Sequence, residues 1–87
     1  MDADWDEFNI EHIARHNVCP NEAEEALLDR NRVSIESNTR NGERRWVILG
    51  KTYGGRLLVV VFTRRGEQIR VVTARNATSS EKRRYKR

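Results

Sequence analysis

Apolar residues recur along this chain with two different periods, and the change comes near residue 30. Trp5, Phe8 and Ile13, with His16, fall near the three- and four-residue spacing of one helix face, which predicts a first helix over Asp6 to His16 with Asp4 or Asp6 as its cap. Pro20 suits the first turn of a second helix running to about Asp29. Glu22, Glu24 and Glu25 complement its dipole, and Ala23, Ala26, Leu27 and Leu28 are its predicted core face. After Asp29 the period drops to two. Arg32 to Glu36 alternates as a half-buried edge strand, and Ser37 to Gly42, polar and without period, predicts a loop. Further strands are predicted over Arg44 to Lys51, Arg56 to Arg64 and Glu67 to Arg75. Gly54-Gly55 and Arg65-Gly66 read as two-residue hairpin turns between them. The run Leu57 to Phe62 has no polar face, so that strand should be central and covered on both sides. Thr78 or Ser79, with Glu81 or Lys82, opens a short basic helix containing Arg83, Arg84 and Tyr85. The predicted fold is α+β: two N-terminal helices, a four-stranded antiparallel meander and a short C-terminal helix, in one domain spanning 1–87.

Two-residue turns would also set the register. Arg64 would face Glu67 and Tyr53 would face Arg56, placing Val47, Leu49, Val60, Phe62, Ile69 and Val71 on one sheet face. Lys51, Arg56 and Arg75 would then converge at the end of that face, where like charges need an anion among them or must splay into solvent. Arg70 would fall on the opposite face among Ile48, Val61 and Val72, and an arginine there needs an ion-pair partner; Glu11, Glu25 and Glu81 are available.

Charge sharpens this picture. The net +4 conceals an acidic segment, 1–29, with nine carboxylates against one arginine, and a basic remainder with sixteen Lys and Arg against four Glu. The balances are −8 and +12, which suits either a polyanion-binding surface or mutual neutralisation of the two parts in the fold. A single cysteine, Cys19, allows no internal disulfide and fits a reducing compartment. No stretch approaches the roughly 20 apolar residues of a membrane span, and the acidic start Met1-Asp2-Ala3-Asp4 is unlike a basic secretory leader. His12 and His16 make half a zinc site at most, because no second cysteine and no other histidine exist to complete it. Gly54-Gly55 lacks the Lys-Ser/Thr partner of a phosphate loop. Neither a metal nor a cofactor is expected.

Three stretches resemble a known family. Trp5-Asp6-Glu7 with Ala14-Arg15-His16-Asn17-Val18 and Glu22-Ala23 through Asp29 is similar to the opening of BrnT toxins. Arg56 to Phe62 resembles their central strand, and Ile69-Arg70-Val71-Val72-Thr73-Ala74-Arg75-Asn76-Ala77, followed by Glu81 and Tyr85, their C-terminal signature. Asn17 stands where the family commonly has glycine, although Asn also tolerates a left-handed backbone. His12 stands where asparagine is more usual. The resemblance implies a RelE-like fold and a cytoplasmic toxin of a type II toxin–antitoxin pair. It further implies metal-free RNA cleavage, translation inhibition and neutralisation by a ribbon-helix-helix antitoxin, with operator DNA met only through the toxin–antitoxin complex.

Metal-free cleavage makes the substrate's own 2′-OH the nucleophile. The protein must accept that proton, stabilise the charge on phosphorus and protonate the leaving 5′ oxygen. Arg75 and Lys51 are the first candidates for charge stabilisation, with Arg56 and Arg64 in support, because guanidinium and ammonium groups suit phosphate. His16 is a candidate acid or base, or a packing residue at a helix end; Tyr85 could transfer a proton, stack on a base or secure its helix. Glu81 suits a helix start at least as well as a general base. Arg56, Arg70, Arg83 and Arg84 complete the candidate RNA-binding set, with an ion-pair role favoured for Arg70. The competing reading is a module that binds nucleic acid, or docks the antitoxin, on the same basic face without catalysis.

Overall fold

The computed structural model describes residues 2–85; Met1, Lys86 and Arg87, which enter the charge balance and the predicted domain span, lie outside the described residues. Helix α1 spans Glu7–Ala14, two residues shorter at its C-terminal end than the periodicity predicts. Asp6 caps it, accepting from the backbone N–H of Phe8 at 2.9 Å and of Asn9 at 3.2 Å, while the Asn9 side chain accepts from Asp6 N–H at 2.8 Å. That reciprocal cap turns Asn9 inward. Its amide donates to the Asp4 and Val71 carbonyls at 3.0 and 3.1 Å, so a buried asparagine sews the helix start to the sheet. Phe8, predicted to face the core, is 73% exposed instead.

Asn17 takes φ +61° after α1, the left-handed conformation anticipated for a position where glycine is usual. The chain reverses there into α2, Pro20–Leu28, with Pro in its first turn and the Glu22 carboxylate accepting from Cys19 N–H at 3.1 Å. Ala23, Ala26 and Leu27 are buried as predicted, but Leu28 rotates past the core face and is half exposed.

Four antiparallel strands follow in the order β1-β2-β3-β4: β1 Val33–Arg40, β2 Glu43–Lys51, β3 Leu57–Arg65 and β4 Gln68–Asn76. The predicted loop over Ser37 to Gly42 is mostly strand. β1 runs on to Arg40, which pairs with Glu43 around Asn41-Gly42, and both turn residues have positive φ, +54° and +78°. Asn-Gly fits that tight turn because both residues tolerate the left-handed region. At the β3–β4 turn Arg65 pairs with Gln68, so Gly66 and Glu67 are the central residues, not Arg65 and Gly66. Between β2 and β3, Lys51 pairs with Leu57 around five residues rather than two.

These slips change which side chains share a face. Val60 lies opposite Ile48 and Ala74, and Arg75 opposite Val59 rather than Arg56. A bulge at Val72 adds a further shift in β4. Each odd slip moves a strand's side chains to the other face. β3 therefore turns over relative to β2, while the C-terminal half of β4 slips twice, so Arg75 keeps the face of Lys51.

On the first face Ile48, Leu58, Val60, Val71 and Ala74 pack against Ile13, Val18, Ala23, Ala26 and Leu27 of the α1–α2 layer. Gly50 lets α2 approach closely: a Cβ there would meet the Ala26 carbonyl carbon at 2.8 Å. On the second face Leu49, Val59 and Ala77 form a smaller cluster under α3, Ser79–Tyr85. β3 is central as predicted, but cover on this second face fades at half-buried Val61. Residues 2–4 extend the sheet at β4, with Asp4 N–H to the Ile69 carbonyl at 2.8 Å and Ile69 N–H to the Asp2 carbonyl at 2.9 Å.

Candidate nucleic-acid interface

The second face ends in an open cleft of about 550 Å³, walled by Lys51, Arg56, Leu57, Asn76, Lys82 and Tyr85. Lys51 is the last residue of β2, and Lys82 and Tyr85 lie one turn apart on the same side of α3. Two ties hold α3 in place. Arg75 forks onto Glu81, both bonds at 2.9 Å, and Tyr85 Oη donates to Asp29 Oδ2 at 2.6 Å. The Glu81 carboxylate also accepts from Thr78 N–H at 2.8 Å, completing the helix start. Asp29 in turn accepts from Lys51 N–H at 2.8 Å and Asn31 N–H at 3.0 Å, so one carboxylate at the end of α2 locks β2 and α3 together.

The local charges follow from these bonds. Arg75, acting against partial burial, holds the Glu81 carboxyl down to about 2. The bond to Asp29, reinforced by burial, pushes the Tyr85 phenol up to about 12, so it stays protonated near neutrality. Burial pushes Asp29 upward, but the bonds from Tyr85, Asn31 and Lys51 outweigh it and leave the carboxyl below its ordinary value. The Lys51 ammonium sits 5.3 Å from the centroid of the Tyr85 ring, a cation–π arrangement. Among the described residues, no carboxylate oxygen lies within 4.0 Å of the Lys51 or Lys82 ammonium. Neither lysine is thus in a direct ion pair among these residues, although the Lys51 charge helps to lower the Asp29 carboxyl.

Of the predicted site residues, Lys51, Arg56 and Tyr85 come together in this cleft. Arg56 reaches it from the β2–β3 turn, yet its guanidinium is largely engaged: with Asn76 Oδ1 at 2.8 Å, the Asn17 carbonyl at 2.6 Å, Glu22 at 3.0 Å and the His16 carbonyl at 3.2 Å. His16 thus meets Arg56 through its backbone, and its ring is exposed beside His12, with centroids 6.2 Å apart. Arg75 lines a separate hollow with Glu81, Val59 and Val61, which neither Lys51 nor Lys82 lines. Arg64 stands at the opposite end of β3, beside the turn to β4. Arg70 makes the predicted ion pair, but with Asp4 at 3.4 Å and Asp6 at 3.0 Å rather than with Glu11, Glu25 or Glu81. Arg83 and Arg84 are exposed on α3.

Sequence reasoning passed over Lys82, Asn76 and Asp29 as site residues. Lys82 had a signal: it is three residues before Tyr85 and therefore on its side of a helix. Asp29 had none, because its partners at positions 51 and 85 are distant in sequence.

Residues 5–81 match the family model described as ribonuclease toxin, BrnT, of type II toxin-antitoxin system. The chain belongs to the BrnT family. No significant match was found among curated proteins. Membership makes this BrnT-type chain a ribonuclease toxin, with RNA as its substrate and an antitoxin as its partner. Among the described residues, no helix is long and apolar enough to cross a membrane. Nor are three or more His, Cys, Asp or Glu side chains grouped there to hold a metal ion.

Proposed function

We propose that this BrnT-family chain cleaves RNA without a metal in the cleft between β2 and α3, and that it inhibits translation by doing so. The convergence of Lys51 and Lys82, neither in a direct ion pair among the described residues, carries the proposal. The substrate's 2′ oxygen bonds to phosphorus, the bond from phosphorus to the 5′ oxygen breaks, and a proton passes from the attacking hydroxyl to the leaving oxygen through acid and base groups. Two ammonium groups stabilise the extra negative charge that builds on the phosphoryl oxygens between these events. Arg56 holds the cleft floor and offers a third positive charge to the phosphate. The Tyr85 hydroxyl keeps its proton at neutral pH and directs it to Asp29, so in this reading Tyr85 is no base and sets the position of α3 beside the phosphate. Arg75 supports the site by holding Glu81 and hence α3. His16 is the candidate imidazole at the edge of the site, while Arg64, Arg83 and Arg84 guide the RNA from further out.

In this reading the whole chain, 1–87, acts as one toxin domain in the cytoplasm. A ribbon-helix-helix antitoxin neutralises it, and the pair meets operator DNA only through the antitoxin. A second reading, binding without scission, draws on the engagement of Arg56 and Arg75 with internal partners. Incubation of the purified chain with a defined single-stranded RNA in excess EDTA separates the two. Wild type should cut the RNA, and Lys51→Ala should lower the rate by about a hundredfold or more, in line with removing one charge-stabilising group. Arg75→Ala should reduce cleavage less, through loosening of α3. Intact RNA with the wild type, despite salt-sensitive binding, would replace the nuclease reading with binding alone.

A further inference from the structure

We infer that exposed Tyr53 is a base-stacking subsite for a nucleotide flanking the phosphate held by Lys51 and Lys82; the inference rests on the RNA-cleft reading above. A second hollow, of about 420 Å³, adjoins the first and shares Lys51 and Tyr85 with it as a common wall. Its far side is formed by Leu28, Arg30, Thr52 and Tyr53. The two hollows thus meet at Lys51 and Tyr85, with Lys82 lining the first and the Tyr53 ring lining the second.

The exposure of Tyr53 is not explained by folding. Its side chain is 84% exposed and Leu28 beside it is 54% exposed, so neither adds much to the core. Yet the backbone beneath Tyr53 is tightly fixed. Thr52 is buried, and its N–H donates to the Arg56 carbonyl at 2.8 Å while its hydroxyl oxygen accepts from Arg56 N–H at 3.0 Å. Gly55 N–H closes the turn on the Thr52 carbonyl at 3.0 Å, and Tyr53 N–H donates to Glu25 at 2.9 Å. The ring therefore projects from an ordered base, which lowers the entropic cost of stacking on it.

The aromatic face and the neighbouring cations, rather than a net positive charge, point to RNA as the occupant. The two carboxylates of this hollow are turned onto neutral donors, Glu25 onto Tyr53 N–H and Asp29 onto the Tyr85 hydroxyl and the backbone N–H groups of Lys51 and Asn31. Arg30 and Lys51 offset their charge. Among the described residues, Arg30 and Lys51 have no carboxylate within 4.0 Å, so cations line the path of the backbone. An aromatic face beside such a path matches single-stranded nucleic acid, whose bases all offer a π-surface to stack.

The test uses the full chain and a single-stranded oligoribonucleotide with 2′-O-methyl groups, which lacks the attacking hydroxyl and reports binding alone. Tyr53→Ala should weaken its binding about tenfold, the loss associated with one base–aromatic stack, while Tyr53→Phe binds like wild type. In cleavage of unmodified RNA, Tyr53→Ala should raise KM with kcat changed less than about twofold, since a binding subsite away from the reacting atoms acts mainly on affinity. Tyr53→Trp should show fluorescence quenched by the oligonucleotide beyond the response of Trp5 and Trp46 in wild type. Unchanged binding by Tyr53→Ala with an unquenched Trp at 53, while Lys51→Ala still weakens binding, would overturn the stacking subsite and leave the phosphate cleft standing. Tyr53→Ala weakening antitoxin binding but not RNA binding would overturn it too, assigning the ring to the protein partner. Failure of wild type either to bind or to cut would remove the RNA-cleft reading itself.

Discussion

The two faces of the sheet are built from the same strands but to opposite ends. The face under α1 and α2 is closed by small and branched apolar residues, with Ile13, Ala23, Ala26, Leu58, Val60 and Ala74 all at 0% exposure. The other face is covered only by the seven-residue α3, none of whose residues is buried, and that helix is held largely by polar ties. Burial of apolar surface supplies most folding free energy, so the first face can carry stability while the second leaves charged groups free of partners. A small domain can therefore hold like charges together at one end of its sheet, because the far face supports the fold without them.

Three experiments would break or sharpen that contrast. The largest effect belongs to Gly50→Ala, which drives a methyl group into the backbone of α2 at Ala26. Backbone on both sides cannot yield easily, so a loss of about 3 kcal/mol or more is expected, read as a lowered urea midpoint or loss of the cooperative transition. Next, Leu58→Ala on the closed face should cost about 3 kcal/mol, whereas Val61→Ala on the open face should cost less than about 1.5 kcal/mol. Equal losses in urea unfolding would show that the open face contributes as much as the closed one.

The smallest effect concerns α3 and pH. Glu81 is depressed from an ordinary 4.5 to about 2 in the folded chain, so its tie to Arg75 is fully stabilising above pH 4.5 and is lost as pH falls toward 2. The Arg75 side chain is 41% exposed, and solvent screening limits the tie to about 1 kcal/mol. Glu81→Gln should therefore melt below wild type at neutral pH, and the two melting curves should converge as the pH approaches 2. No gap at neutral pH would mean that the Thr78 cap, which glutamine can also complete, holds the helix without the ion pair.

Much of the fold could be read from local pattern. The switch from helical to alternating period placed six of the seven elements within about two residues of their ends, because each period reflects which side chains one element can bury. β1 ran four residues past its expected end, since its outer half, Ser37 to Arg40, is polar and exposed on both faces and offers no alternation to detect. Asn41-Gly42 was the available signal there, a turn chemistry rather than a hydropathy pattern. The site was legible only in part. Lys51, Arg56 and Tyr85 meet in the cleft, but the expected sharing of one face by Arg56 and Arg75 was lost to turn length and to the bulge at Val72.

The sequence by itself determined the class of fold, the order of its elements, the left-handed turn at Asn17, the family and the concentration of positive charge after residue 30. Those properties reside in neighbouring residues, where spacing and backbone preference act directly. Only the tertiary structure decided which cations are free. Arg56, Arg70 and Arg75 found partners at Glu22, at Asp4 and Asp6, and at Glu81, whereas Lys51 and Lys82 found none among the described residues. Whether a charge is neutralised depends on a few ångströms between elements. A one-residue slip in a hairpin reverses the direction of every side chain beyond it, so no count of charges along the chain can settle that question.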